Sequence, residues 1–188
     1  MPLPPEAIAL IAVLALGTIW LIAVFNRCVA LRNKVREAWS GIDVQLKRRH
    51  DLVPALVETV KGYQSHEATT LANVVASRNA AVQAHGAAQA GPAEAGLSSQ
   101  LRSLFAIAEA YPQLKADANF RQLSAQLVEI EDQLQYARRY HNGAVRDFNN
   151  LIQSFPNNLV SGLLQFHEQA FFEVEEATER SAPKIQLG

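Results

Sequence analysis

FNRCVALRNKVREAWSGIDVQLKRRHDLVPALVETVKGY, residues Phe25 to Tyr63, decides the fold. Apolar or bulky side chains fall at Val35, Trp39, Ile42, Leu46, Val53, Leu56, Val60 and Tyr63, and Arg49 occupies the one remaining slot of the series. The steps alternate four and three, the spacing of a helix that lies along partner helices, while charged residues fill the other faces. The stretch therefore reads as a long helical stalk with one covered side. Pro54 removes the amide that would bond to the carbonyl of residue 50, so a kink is expected there before the helix resumes. Gly41 and Gly62 are further weak points, and the helical pattern carries on to about Ala84.

Ahead of the stalk, Ala7 to Phe25 (AIALIAVLALGTIWLIAVF) carries no charge. As a helix it spans roughly 28 Å, close to the ~30 Å hydrocarbon core of a bilayer. The preceding residues, MPLPPE, lack the Lys or Arg of a secretory leader, and no small-residue cleavage site follows. The run thus reads as a retained transmembrane helix and the lipid bilayer as its partner. Arg27, Arg32, Lys34 and Arg36 follow the span and no basic residue precedes it. That asymmetry predicts a single-pass protein of the cell (inner) membrane with its N-terminus outside and its C-terminal domain in the cytoplasm.

A second long helix is expected from Phe120 to Phe155, where Phe120, Leu123, Leu127, Ile130, Leu134, Ala137, His141, Ala144, Phe148, Leu151 and Phe155 again alternate three and four. Asp117 or Asn119 can cap it, and Pro156 ends it. A short helix on Leu97, Leu101, Leu104, Ala108 and Tyr111 stops at Pro112, and Asn157 to Phe166 reads as a short apolar helix. His85 to Gln100, with three glycines and Pro92, reads as a loop. The fold class is all-α: an N-terminal transmembrane helix continuing into a long-helix antiparallel bundle of about four helices. Residues 1–6 form a flank, 7–25 the span, 26–166 the bundle with its loop at about 85–100, and 167–188 an acidic C-terminal tail. Trp39, Ile42, Leu46, Leu56, Leu134 and Phe148 are the predicted core of the seams.

Across its 188 residues the chain is 49 % apolar and 19 % charged, with a net charge of −1. That balance argues against a nucleic-acid partner, which would call for a basic excess. The single cysteine, Cys28, rules out an internal disulfide.

Two blocks, AWSGIDVQLKRRHDLVP with LVETVKGY and His66-Glu67, then ARRYHNGAVRDFN with SFPNNLVSGL, resemble the bacterial LemA family over nearly the whole chain. The resemblance implies an N-terminal membrane helix and an α-helical domain of about four helices, and it implies no enzymatic activity or ligand. Phe25 and Phe148 stand where relatives usually have Tyr, Ala55 where they usually have Asn, and His50 and His141 where an aromatic is common.

Chemistry-bearing patterns are sparse. His66-Glu67 is followed by Thr70 where a zinc protease needs a second histidine. Neither the Glu-x-x-His motif of di-iron bundles nor a Gly-rich phosphate loop occurs. No cofactor or metal is expected. Arg48, Arg49 and Asp51 beside His50 form a polar cluster next to the Pro54 kink. It could bind something at the freed carbonyl, or Arg49 could lay its stem over the seam and pair with Glu131, Asp132 or Asp147. The leading functional expectation is a non-enzymatic, membrane-anchored scaffold that self-associates as a homo-oligomer, with an unidentified protein partner. Its basis is that part of the seam from Leu31 to Leu46 lacks an evident partner. The alternative is that Leu159 to Phe172 folds back to cover that seam in a monomer. Two other function classes stand beside it: a metal-binding protein or enzyme using His50, His66 or His141 with nearby carboxylates, and a signalling adaptor that docks partners through Phe171 to Glu179.

Overall fold

The computed structural model describes residues 4–63 and 68–173. It is all-α, with α1 (Pro5–Lys61), α2 (Ala68–Gln83), α3 (Gly86–Ala110), α4 (Pro112–Ala116), α5 (Ala118–Gln153) and α6 (Asn157–Leu163). Two compact units form, and both α1 and α5 contribute to each: Met1–Ala38 with Tyr140–Gln169, and Trp39–Arg139 with Ala170–Gly188.

Helix α1 runs through Pro54 without ending and stops at Lys61, well short of Ala84. The stop falls at the glycine flagged in the sequence, where the Tyr63 amide turns back onto the Val60 carbonyl (3.0 Å). The first part of α1 is apolar and long enough to cross a membrane, and almost none of it is buried by the protein. Its one hydroxyl there, Thr18, donates to the Leu14 carbonyl at 2.8 Å, which pairs that group within the helix.

In the first unit, Val24, Cys28, Val35 and Ala38 of α1 cluster with Ala144, Val145, Phe148 and Ile152 of α5, Val160 of α6, and Phe166. Phe166 reaches the core because α6 ends in a paired-bond cap. The Phe166 amide bonds to the Ser161 carbonyl (2.9 Å) and the Gln165 amide to the Gly162 carbonyl (3.4 Å), with Gln165 in the left-handed region (φ 54°). The Phe166 ring then meets Phe25 and Phe148 edge-on, at 6.1 and 6.4 Å between centroids, and Arg32 stacks over it at 5.2 Å. Ser161 donates to the Ile152 carbonyl (2.7 Å), satisfying an orphan acceptor of the last turn of α5. Cys28 is a free, buried thiol, and burial pushes its pKa up.

In the second unit, Val53, Leu56, Val57 and Val60 of α1 pack with Leu71 and Val74 of α2, Leu97, Leu101 and Leu104 of α3, Leu114 of α4, and Phe120 and Leu127 of α5. Ile42 and Leu46 cluster with Ala90, Leu134 and Phe172, and Trp39 packs on the edge of this group. Asp117 caps α5 by accepting from the Phe120 amide (2.8 Å).

Three further expectations need correction. Residues 86–100 are the start of α3 and not a loop. The stretch is rich in alanine, a strong helix former, and the carbonyl orphaned by Pro92 belongs to the exposed Ala88, where water can reach it. Its small residues serve close approach: a Cβ at Gly91 would overlap the Glu173 carbonyl. Second, the chain after His167 does not leave the bundle as a tail at that point. Asn149 brackets the Gln169 backbone through 3.0 and 2.9 Å hydrogen bonds, and Phe172 is buried against Trp39, with ring centroids 5.9 Å apart. Glu175, Glu176 and Glu179 lie outside the described residues. Third, the seam between Leu31 and Leu46 is covered. Val160 and Phe166 share a cluster with Val35 and Ala38 in the first unit, and Phe172 and Ala90 share one with Ile42 and Leu46 in the second.

Candidate functional site

The polar heart of the second unit forms where two seams are each interrupted by one charge. On α1 the interruption is Arg49, between Leu46 and Val53. On α3 the buried positions Ala90, Leu97, Leu101, Leu104 and Ala108 follow the same four–three spacing, and Glu94 fills the slot between Ala90 and Leu97. Arg49 is 2 % exposed and Glu94 1 %. Such groups stay charged in an interior only with compensating partners. Arg49 Nη1 donates to Glu94 Oε2 at 3.2 Å, and Nη2 donates to Ser98 Oγ and Glu131 Oε1, both at 2.7 Å. His50 Nε2 lies 2.6 Å from the other Glu94 oxygen. A carboxylate only accepts, so that ring nitrogen carries the hydrogen.

A second polar link sits one turn on. With Pro54 in place the His50 carbonyl has no amide donor from its own helix, and Arg78 Nε of α2 donates to it at 3.2 Å. The carbonyl freed by the proline is thus taken by a side chain of the same unit. A cleft of about 610 Å³ opens beside this region, lined by Trp39, Asp43, Lys47, His50, Asp51, Arg78 and His85 among others. Its rim carries both signs of charge.

Of the predicted polar cluster, the structure brings Arg49 and His50 into one network and leaves Arg48 and Asp51 outside it. Arg48 is exposed and reaches Gln45 (3.5 Å), and Asp51 faces the cleft. Glu131 is a partner of Arg49 as the sequence suggested; Glu94, Ser98 and Arg78 were missed. The signal for Glu94 was present: extending the α3 seam back one heptad from Leu101 puts a single acid in an apolar slot, matching the single base in α1. Reading 85–100 as a loop hid it. Ile42, Leu46, Leu56 and Leu134 are buried in the second unit and Trp39 is half-buried there; Phe148 is buried in the first. Tyr63, Tyr111 and Phe155, at the ends of the seams, are exposed.

The network is an ion pair extended by His50, Ser98 and Glu131, which is 39 % exposed, and Arg49 Nε is buried without a hydrogen-bond partner among the described residues. Both Glu94 oxygens are engaged, one by Arg49 and one by His50. His141 is buried in α5 of the first unit, and His66 lies outside the described residues. Among the described residues no group of three or more His, Cys, Asp or Glu side chains could hold a metal ion.

Comparison with known proteins places these features in a family. The LemA family model matches residues 38–187. Protein LemA of Metamycoplasma hominis is 27 % identical over 170 residues, covering 87 % of this chain and 76 % of that protein. Magnetosome proteins MamQ 2 and MamQ 1 of Paramagnetospirillum magneticum are each 21 % identical over 202 residues, covering 93 % of this chain and 74 % of theirs. With the family model spanning most of the sequence, including both the Arg49 seam and the Glu94 seam, the chain belongs to the LemA family.

Proposed function

We propose that the protein is a membrane-anchored helical scaffold without catalysis of its own, which presents its second unit to partners and self-associates in the plane of the membrane. The observation that carries the reading is α1. One uninterrupted helix joins a charge-free apolar run, exposed almost throughout, to a stalk whose seam is covered by the protein's own helices. A surface of that apolarity belongs in lipid. The buried polar groups support the non-catalytic part, since Arg49, Glu94 and His50 are committed to one another. The four basic residues after the span support an N-out, C-in orientation. Because the Leu31–Leu46 seam is covered, self-association falls to another surface. Val128 and Tyr136 are exposed on α5 at a spacing that puts them on one face, and anchoring raises the effective concentration of copies.

The test is made on the full chain in native membranes, with Cys28→Ser and a single cysteine replacing the exposed Asp132 between those two residues. Resistance to alkaline extraction together with dimers and higher species on crosslinking is the expected result. Extraction into the soluble fraction removes the anchor. Resistance with monomer alone removes self-association and leaves a solitary anchored bundle.

A further inference from the structure

The chain carries a second run of 19 residues without Lys, Arg, Asp or Glu, Phe148 to Phe166. It folds as the end of α5, the turn and α6 in the first unit. Part of its apolar content is used inside: Phe148, Ile152, Val160 and Phe166 are core. Leu151 packs against that core, and four others point away from the protein. Phe155 is 79 % exposed and Leu163 81 %, with Leu159 and Leu164 also exposed. This is not accidental fraying. The cap that turns Phe166 inward ends α6 with Leu163 and Leu164 facing out, and Ser161 fastens the helix to the last turn of α5. Four large apolar side chains on ten residues, with no charge among them, make a patch of a kind that soluble surfaces seldom carry.

Its place in the unit says what covers it. Val24, in the last turn of the apolar run of α1, shares a cluster with Ile152 and Val160, and the Phe25 ring lies 6.1 Å from Phe166. The α5–α6 corner is therefore held at the level where the span ends, with Arg27 and Arg32 following on α1. We propose that the α5–α6 corner is a second membrane contact: Phe155, Leu159, Leu163 and Leu164 insert into the lipid interface beside the span, so that the first unit sits partly in the bilayer surface. This rests on the span crossing the membrane. Given that, the patch is continuous with a lipid-facing surface and its occupant is lipid.

The experiment uses the full chain in phospholipid vesicles, with Cys28→Ser and an environment-sensitive fluorophore on a single cysteine at Leu163→Cys, Leu14→Cys or Val128→Cys. All three positions are exposed, so the core is untouched. Quenching is read with lipids that carry a nitroxide either near the headgroup or near the acyl terminus. The expected result is strong quenching of Leu14→Cys by the deep nitroxide. Leu163→Cys should show strong quenching by the shallow one with a blue-shifted emission, and Val128→Cys should show neither. A Leu163→Cys label that behaves like Val128→Cys, while Leu14→Cys is quenched, overturns the second contact and leaves the anchor. A blue-shifted but unquenched label, with the unlabelled Leu163→Cys chain crosslinking to a second copy, assigns the patch to self-association and overturns it too. An unquenched Leu14→Cys label overturns the anchor and this inference together.

Discussion

Removing Glu94 is the sharpest test of the buried network. Glu94→Ala deletes the acceptor for Arg49 Nη1 (3.2 Å) and for His50 Nε2 (2.6 Å), while Arg49 keeps Glu131 and Ser98 through its other nitrogen. Stranding one member of a buried ion pair costs ~3–5 kcal/mol. Because Arg49 retains Glu131, Glu94→Ala should fall at the lower end, about 3 kcal/mol. Arg49→Ala should be worse, toward about 5 kcal/mol, since it also removes a stem packed between Leu46 and Val53 and leaves Glu94 with His50 alone. Glu131 is 39 % exposed, so Glu131→Ala should cost only about 0–1 kcal/mol. The pair Arg49→Ala with Glu94→Ala strands neither charge of the Arg49–Glu94 bond, and it should cost clearly less than the two single changes added together. Urea unfolding of the full chain in detergent, followed by far-ultraviolet circular dichroism, gives the four values. Additive losses, or a Glu94→Ala cost under about 1 kcal/mol, would refute the network as the interior's main polar tie.

Leu46→Ala and Leu134→Ala, which share one cluster, should each cost ~2–5 kcal/mol in the same assay; under 1 kcal/mol would mean a solvent-facing seam. Gly91→Ala should displace the backbone at Glu173 and weaken the Phe172–Trp39 contact, costing about 1–3 kcal/mol and changing Trp39 emission in a Trp20→Phe background; an unchanged spectrum would refute the close approach. Asp117 is held below the usual carboxylate range, chiefly by the Phe120 amide and then by the Tyr63 hydroxyl, so its contribution is present above the unfolded aspartate value near ~3.9 and is lost as pH falls through the lowered folded one. Asp117→Asn keeps the cap acceptor without titrating, so the acid-induced rise in Phe120 amide exchange should be smaller in that variant, and an identical profile would refute the cap's role.

Most of the fold could be read from spacing, because both long seams are strict and a four–three pattern has few other physical meanings. What spacing could not deliver were features set by contacts distant in sequence. The residues His85 to Gln100 read as a loop because glycine and proline are helix breakers, yet Gly91 is small to admit the backbone at Glu173, a partner more than eighty positions away. Phe172 has acidic neighbours that suit a tail and an apolar ring that suits the fold-back over the Leu31–Leu46 seam, and it is a core residue because Trp39, Ile42 and Leu46 need covering. In the candidate site Arg49 stood out as an anomaly in its seam. Its partner Glu94 did not, because a charge is unremarkable in a presumed loop and anomalous only on a buried helix face.

That pairing of anomalies also predicts a role in register. Seams built from Leu, Val, Ile and Ala with a four–three repeat are nearly self-similar after a slip of seven residues, so apolar packing alone discriminates weakly between the native pairing of α1 with α3 and a slipped one. One base in the first seam and one acid in the second remove the degeneracy. A slip would set Arg49 and Glu94 against apolar side chains, each buried without its partner, at several kcal/mol per ion. The Arg49→Met, Glu94→Leu double variant should then stay helical and unfold at comparable denaturant, but with less uniform packing. Broadened amide resonances around Leu46, Val53 and Leu97, with lowered exchange protection across α3, are the expected signature. Sharp resonances and native protection in that variant would show that loop lengths and side-chain shape hold the register, and that the ion pair contributes nothing to it.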